Sequence, residues 1–241
     1  MKAKIPFLLA LVPFLLLAPG VLGAAPSEAK HLAPLSSTPL ADAAATALMK
    51  QLSERMGAVT AFEACFIQEH HLTLYLDVLT ANGVCYFQAP DRFRWEILTP
   101  YHSIVVFNHD RAAKFEERDG SMVYVKSGAY DIIRGLMAQM TGWMRGDFTG
   151  DREAFTIRVF AGTAGYELEL TPRGQEIKQY IQQIEVYLTK EPLQTARIVI
   201  REPEQDYLEI TFCDVRENAA LNPELFNLRK PLETSAPDEK H

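Results

Sequence analysis

The spacing of apolar positions changes twice along the chain. From Ala45 through Leu48 and Leu52 to Met56, apolar residues recur every three or four positions, with Lys50, Glu54 and Arg55 mostly off that stripe. This predicts an amphipathic helix, with Thr38 and Pro39 suited to its start and Gly57 to its end. From Ala61 the period becomes two. Phe62, Ala64, Phe66 and Gln68 share one face, and Glu63, Cys65, Ile67 and Glu69 the other. A hairpin centred near Tyr75 brings the next strand back with Val84 opposite Phe66 and Tyr86 opposite Ala64. Phe93, Trp95 and Ile97 then alternate with Arg92, Arg94 and Glu96. Further strands are predicted over 103–107, 112–117 and 122–126, bounded by Asn108-His109-Asp110 and Asp119-Gly120. Helical spacing returns once, over 130–144, where Ile132, Ile133, Leu136, Met137, Met140, Trp143 and Met144 recur. Strands resume over 155–160, 165–171, 180–189, 194–202 and 206–215. Consecutive strands with short turns and no repeating strand–helix unit predict an antiparallel sheet of about eleven strands with two helices.

The two ends read differently. Lys2 and Lys4 precede an apolar run from Phe7 to Ala18, followed by small residues from Gly20 to Ala25. That order is a secretory signal peptide, residues 1–24. The alternative, an anchoring helix, needs about 20 apolar residues, and Pro6, Pro13 and Pro19 interrupt this stretch. No cysteine follows the apolar run to carry a diacylglyceryl anchor, so a soluble mature protein is expected. Residues 25–40, with Pro26, Pro34, Ser36, Ser37 and Pro39, read as a disordered linker, 41–233 as one domain and 234–241 as a flexible tail.

Charge narrows the function classes. The 241 residues carry 24 Lys and Arg against 31 Asp and Glu, a net charge of −7 that becomes −9 without Lys2 and Lys4. An acidic chain without a basic run is unsuited to nucleic acid, whose phosphates require clustered cations. The three cysteines are Cys65, Cys85 and Cys213, of which at most one pair can bridge in an oxidising compartment. The hairpin centred near Tyr75 sets Cys65 opposite Cys85, within about 5.5 Å at Cβ. A disulfide between them is one reading; three small buried hydrophobes is the other.

Phe62-Glu63-Ala64-Cys65-Phe66-Ile67-Gln68, then Gly83, then Pro90-Asp91-Arg92-Phe93-Arg94-Trp95-Glu96 resemble the LolA family of periplasmic lipoprotein carriers. The shared pattern is an aromatic strand ending in F-x-Q, a glycine in the second strand, and a proline shortly before an R-W pair. The resemblance continues at Leu170-Thr171-Pro172, Glu209-Ile210-Thr211-Phe212, Asn218 and Phe226. It implies an incomplete antiparallel β-barrel wrapped around and covered by short helices. It also implies a non-enzymatic role, receiving acylated lipoprotein or lipid from an inner-membrane ABC-type release complex and delivering it to an outer-membrane acceptor. The acceptor of that system is itself a lipoprotein, so the missing cysteine favours the carrier. One departure stands out: the family's best-known members have an arginine directly before the proline that latches the lid, where this chain has Ala89. A divergent paralogue with a looser empty state is the expectation.

A carrier needs an apolar face that hides hydrocarbon. Phe62, Phe66, Tyr86, Phe93, Trp95, Leu168 and Leu170 are the expected lining, and Ile133, Met137, Met140, Trp143 and Met144 the expected lid, whose thioethers adapt to irregular shapes. The same residues also suit an ordinary packed core. A lipid- or lipoprotein-sensing module that does not transport is the nearest alternative. An enzyme is a distant one: adjacent residues in a strand point to opposite faces, so His70 and His71 cannot readily meet one metal ion and read as a solvated hairpin tip. His102 and His109 have no partner at ligand spacing, and no nucleophile or phosphate-loop motif is present. No cofactor or metal, and a monomer, are expected.

Overall fold

The computed structural model describes residues 38–75, 77–125 and 154–232, with Gly142 and Phe148 between them. The signal peptide, the lid residues Ile133, Met137, Met140, Trp143 and Met144, and the tail lie outside the described residues.

Helix α1 spans Asp42–Gly57 and buries Leu48, Leu52 and Met56, the stripe its spacing predicts. Asp42 in its first turn and Arg55 in its last oppose the helix dipole. Arg55 also donates to Glu217 at 2.6 Å, tying the helix end to the last strand.

The strands are β1 (Ala61–His71), β2 (Leu79–Gln88), β3 (Arg92–Thr99), β4 (Ser103–Asn108), β5 (Arg111–Arg118), β6 (Ser121–Tyr124), β7 (Phe155–Ala161), β8 (Gly165–Pro172), β9 (Gln183–Thr189), β10 (Thr195–Arg201) and β11 (Tyr207–Glu217). All eleven form one antiparallel sheet in the order β6-β5-β4-β3-β2-β1-β11-β10-β9-β8-β7. Two meanders therefore meet where the first strand pairs with the last, and the sheet keeps two edges rather than closing. This is the predicted mainly-β, incomplete-barrel architecture.

The face on which α1 packs, the inner face here, carries one contiguous cluster reaching from Phe107 on β4 to Phe155 on β7. The outer face has a smaller cluster, in which Ile104, Val106, Ala113 and Phe115 pack with Leu225 and Phe226 of the C-terminal segment.

The β1–β2 register departs from the expected one by a single residue: Ala64 lies opposite Cys85, and Phe66 opposite Gly83. Ring packing explains it. The Phe66 ring occupies the space over Gly83, where an added Cβ would stand 2.3 Å from Phe66 Cζ. A one-residue slip sends every side chain to the other face, so Cys85 turns inward and Tyr86 outward. The expected Cys65–Cys85 bridge is thereby overturned. Cys65 instead faces Cys213 across β1–β11, with Cα atoms 4.9 Å apart, and the two form a disulfide. Cys85 is a free, buried thiol whose pKa burial pushes far up, which makes it inert.

Candidate functional site

The inner face is built from rows that cross the strands. Phe62, Phe87, Phe93 and Phe107 are successive register partners on β1 to β4, and the Phe62 and Phe87 rings stack at 5.4 Å. Beside them run Ala64, Cys85, Trp95 and Val105. Phe66 leans over from the next row and stacks on Trp95 at 3.8 Å. Across the other wing, Leu168, Val186, Ile198 and Ile210 form one aliphatic row and Leu170, Ile184, Ile200 and Leu208 another. Alternation along each strand produces this result because one side of the sheet must leave water.

Six of the seven expected lining residues, Phe62, Phe66, Phe93, Trp95, Leu168 and Leu170, are buried in this cluster. Tyr86 is not among them: the register slip places it on the outer face, against the Leu225–Phe226 cluster. Phe87 and Phe107 take inner positions that strand spacing alone did not single out. Phe87 is found only once the register is known.

The two aliphatic rows end on β1 at polar residues. Ile210 pairs with Gln68 and Leu208 with His70. Gln68 is 0% exposed and His70 1%, which corrects the reading of His70 as part of a solvated hairpin tip. β1 pairs with β2 on one side and β11 on the other out to this residue, so the strand end lies inside the sheet. Burial lowers the His70 pKa, Asp206 opposes that shift and His71 adds to it. Glu202, just beyond β10, stands 3.7 Å from His70 Nε2, too far for a hydrogen bond. Burial and then Asp206 raise its carboxyl to about 7. Both groups are thus drawn toward their neutral forms rather than into an ion pair.

On the outer face, alternation turns Arg94 and Glu96 away from Phe93 and Trp95. Arg94 Nε and Nη2 donate to Glu96 Oε2 at 3.0 and 2.7 Å, and Arg94 Nη1 donates to the Leu225 carbonyl at 3.1 Å. Arg94 Nη2 also donates to the Leu232 carbonyl. His102 Nε2 lies 2.6 Å from Glu96 Oε1, and Asn108 Nδ2 donates to the Phe226 carbonyl. Arg94 therefore straps the C-terminal segment to the sheet and is no substitute for the arginine absent at Ala89. Ala89 packs at the margin of the inner cluster.

An open single sheet wrapped around a helix, with a continuous aromatic and aliphatic inner face, defines the class: an incomplete β-barrel with an apolar lining. The chain belongs to the LolA family, because the model of "Outer membrane lipoprotein carrier protein LolA" matches residues 57–229. No curated protein matches the sequence. Solved structures to which this chain is similar include the Pseudomonas aeruginosa MucA/MucB complex (13% identity, 76% of this chain, 60% of that one, TM-score 0.47). Others are a LolA superfamily protein of Nitrosomonas europaea (10%, 76% and 97%, 0.40) and the Mycobacterium tuberculosis lipoprotein LppX (12%, 76% and 99%, 0.44).

Proposed function

We propose that this chain is an exported periplasmic carrier that holds the acyl chains of a lipoprotein or lipid against its inner face and passes them from an inner-membrane release complex to an outer-membrane acceptor. It catalyses no reaction in this reading. The observation that carries it is the contiguous apolar cluster on the inner face of a LolA-family chain. Each methylene hidden from water is worth about 0.8 kcal/mol, so Phe62, Phe66, Phe93, Trp95, Leu168 and Leu170 are the side chains expected to meet hydrocarbon. The Cys65–Cys213 disulfide supports an oxidising compartment. Export is assigned to residues 1–24 and the cover to the methionine-rich stretch 130–144 on their sequence patterns alone.

Release requires that binding stay reversible. A cover that leaves the sheet as hydrocarbon arrives exchanges one apolar contact for another of similar area, which keeps the net free energy small.

Native mass spectrometry of the protein taken from the periplasm, followed by lipid extraction, tests the reading. Co-purifying acylated protein or lipid is the expected result. Protein free of both, under conditions that retain lipid on a known carrier, overturns it. Bound lipid that never moves to acceptor-bearing membranes identifies a module that binds without transporting.

A further inference from the structure

Buried polar atoms are nearly always hydrogen-bonded, and each exception calls for an explanation. Three inner-face side chains are exceptions together. Both amide atoms of Gln68, both ring nitrogens of His70 and the indole Nε1 of Trp95 have no hydrogen-bond partner among the described residues. All three residues are more than nine-tenths buried. Two of them are neighbours. Gln68 and His70 are consecutive inner positions of β1, and Phe66, the inner residue before them, stacks on Trp95. Just past His70, one carboxyl oxygen of Glu202 is equally without a hydrogen bond among the described residues. Leucine at 68 or 70 would extend the aliphatic rows without an unpartnered polar atom at that position, so packing alone does not account for these residues.

We propose that Gln68 and His70 form the polar end of the lipid site and hydrogen-bond the neutral ester, amide or hydroxyl head of an acylated ligand. The inference rests on the carrier reading and adds to it the chemistry at the head of the bound chain.

The inventory of donors and acceptors sets that chemistry. Gln68 offers two N–H donors and a carbonyl acceptor, and neutral His70 one of each. An ester or hydroxylated head uses both kinds. A phosphate head would meet no buried Lys or Arg on the inner face among the described residues, since the one buried arginine there, Arg94, faces outward onto Glu96 and the C-terminal segment. It would also meet the Glu202 carboxylate, partly charged at neutral pH. The placement fits as well: the Leu168 and Leu170 rows lead across β8 to β11 to Gln68 and His70, so hydrocarbon on these rows ends at the polar pair.

The test is equilibrium gel filtration of the delipidated mature chain with radiolabelled 1-dodecanoylglycerol and, separately, dodecane. Gln68→Leu and His70→Leu are each expected to weaken the glycerol ester about tenfold and to leave dodecane binding equal or tighter. Lipid-free thermal midpoints of both variants are expected at or above that of the parent chain, because an orphaned polar group has been removed. Ester and dodecane binding unchanged in both variants overturns the polar anchor and leaves the carrier reading intact. A midpoint lowered by several degrees marks Gln68 or His70 as structural and also overturns the anchor. Failure of the parent chain to bind either probe overturns the carrier reading, and the anchor falls with it.

Discussion

The Arg94–Glu96 pair on the outer face and the Gln68–His70 pair on the inner face bury polar groups in opposite ways. On the outer face Arg94 and Glu96, both 0% exposed, satisfy each other, and Arg94 goes on to two carbonyls of the C-terminal segment. On the inner face Gln68, His70 and Trp95 are almost as deeply buried and have no hydrogen-bond partner among the described residues. Burial alone therefore does not distinguish the two pairs; the state of their hydrogen bonds does. A charged network that is complete within the chain has a folding role. Neutral groups left incomplete, on the face that a lipid would occupy, are where a ligand can supply what the chain does not.

The largest expected effect tests the completed side. Removing one member of a buried charged pair leaves the other uncompensated, at a cost of about 3–5 kcal/mol. Glu96→Met or Arg94→Met should lower stability by that amount in urea unfolding, and the Arg94→Met/Glu96→Met double variant should recover much of it. If the singles are nearly neutral, the outer network is not the brace described. Next comes the tether between the two meanders. Cys65→Ala with Cys213→Ala opens a bridge spanning 148 residues of sequence and is expected to cost about 2–4 kcal/mol, read as a fall in midpoint that a reductant reproduces in the parent chain. A smaller effect is expected where the faces meet. Gly83→Ala puts a Cβ 2.3 Å from the Phe66 ring and 2.2 Å from the Glu96 carbonyl oxygen, an overpacking of about 1–3 kcal/mol. It should also change the near-ultraviolet signal of the Phe66–Trp95 stack.

Strand periodicity was readable in the sequence because the apolar inner face forces alternation at Phe62 to Gln68, and again at Phe93 to Ile97, where the opposite face is also buried but holds the paired Arg94 and Glu96. Register was not. The β1–β2 connection leaves the hairpin centre open, and the one-residue choice was settled by the Phe66 ring lying on Gly83, a contact between strands. That choice moved Tyr86 off the inner face and Cys85 onto it. The disulfide partner was hidden for a related reason: β1 pairs with β11, and spacing along the chain reveals only near neighbours. His70 was misjudged in the same way, since a residue beside a turn looks solvated until a strand from the far end of the chain covers its other side. Gln68 was placed on the correct face, yet its lack of a partner is a three-dimensional property that no periodicity encodes.

The smallest expected effect separates the acids on the two faces by pH. Glu202, beside the inner polar pair, is raised from 4.5 to about 7 by burial and then Asp206. Glu167, on the outer face opposite Tyr187, is raised from 4.5 to about 7 by burial and then Glu185 and Glu169. Between pH 4.5 and 7 the folded chain keeps a proton on each acid that the unfolded chain has lost. Stability from these groups is therefore present at low pH and falls as pH rises through that window. His70 acts with the opposite sign, because its lowered pKa makes the unfolded chain the better proton binder below 6.5, so the informative quantity is the difference between each variant and the parent chain. Glu202→Gln and Glu167→Gln should each match the parent near pH 4 and exceed it by about 1 kcal/mol at pH 8, read as denaturation midpoints across the range. If an ester ligand occupies the inner pair, saturating 1-dodecanoylglycerol should change the Glu202→Gln difference and leave the Glu167→Gln difference unchanged. Equal changes at both positions would mean that the ligand does not reach Gln68 and His70.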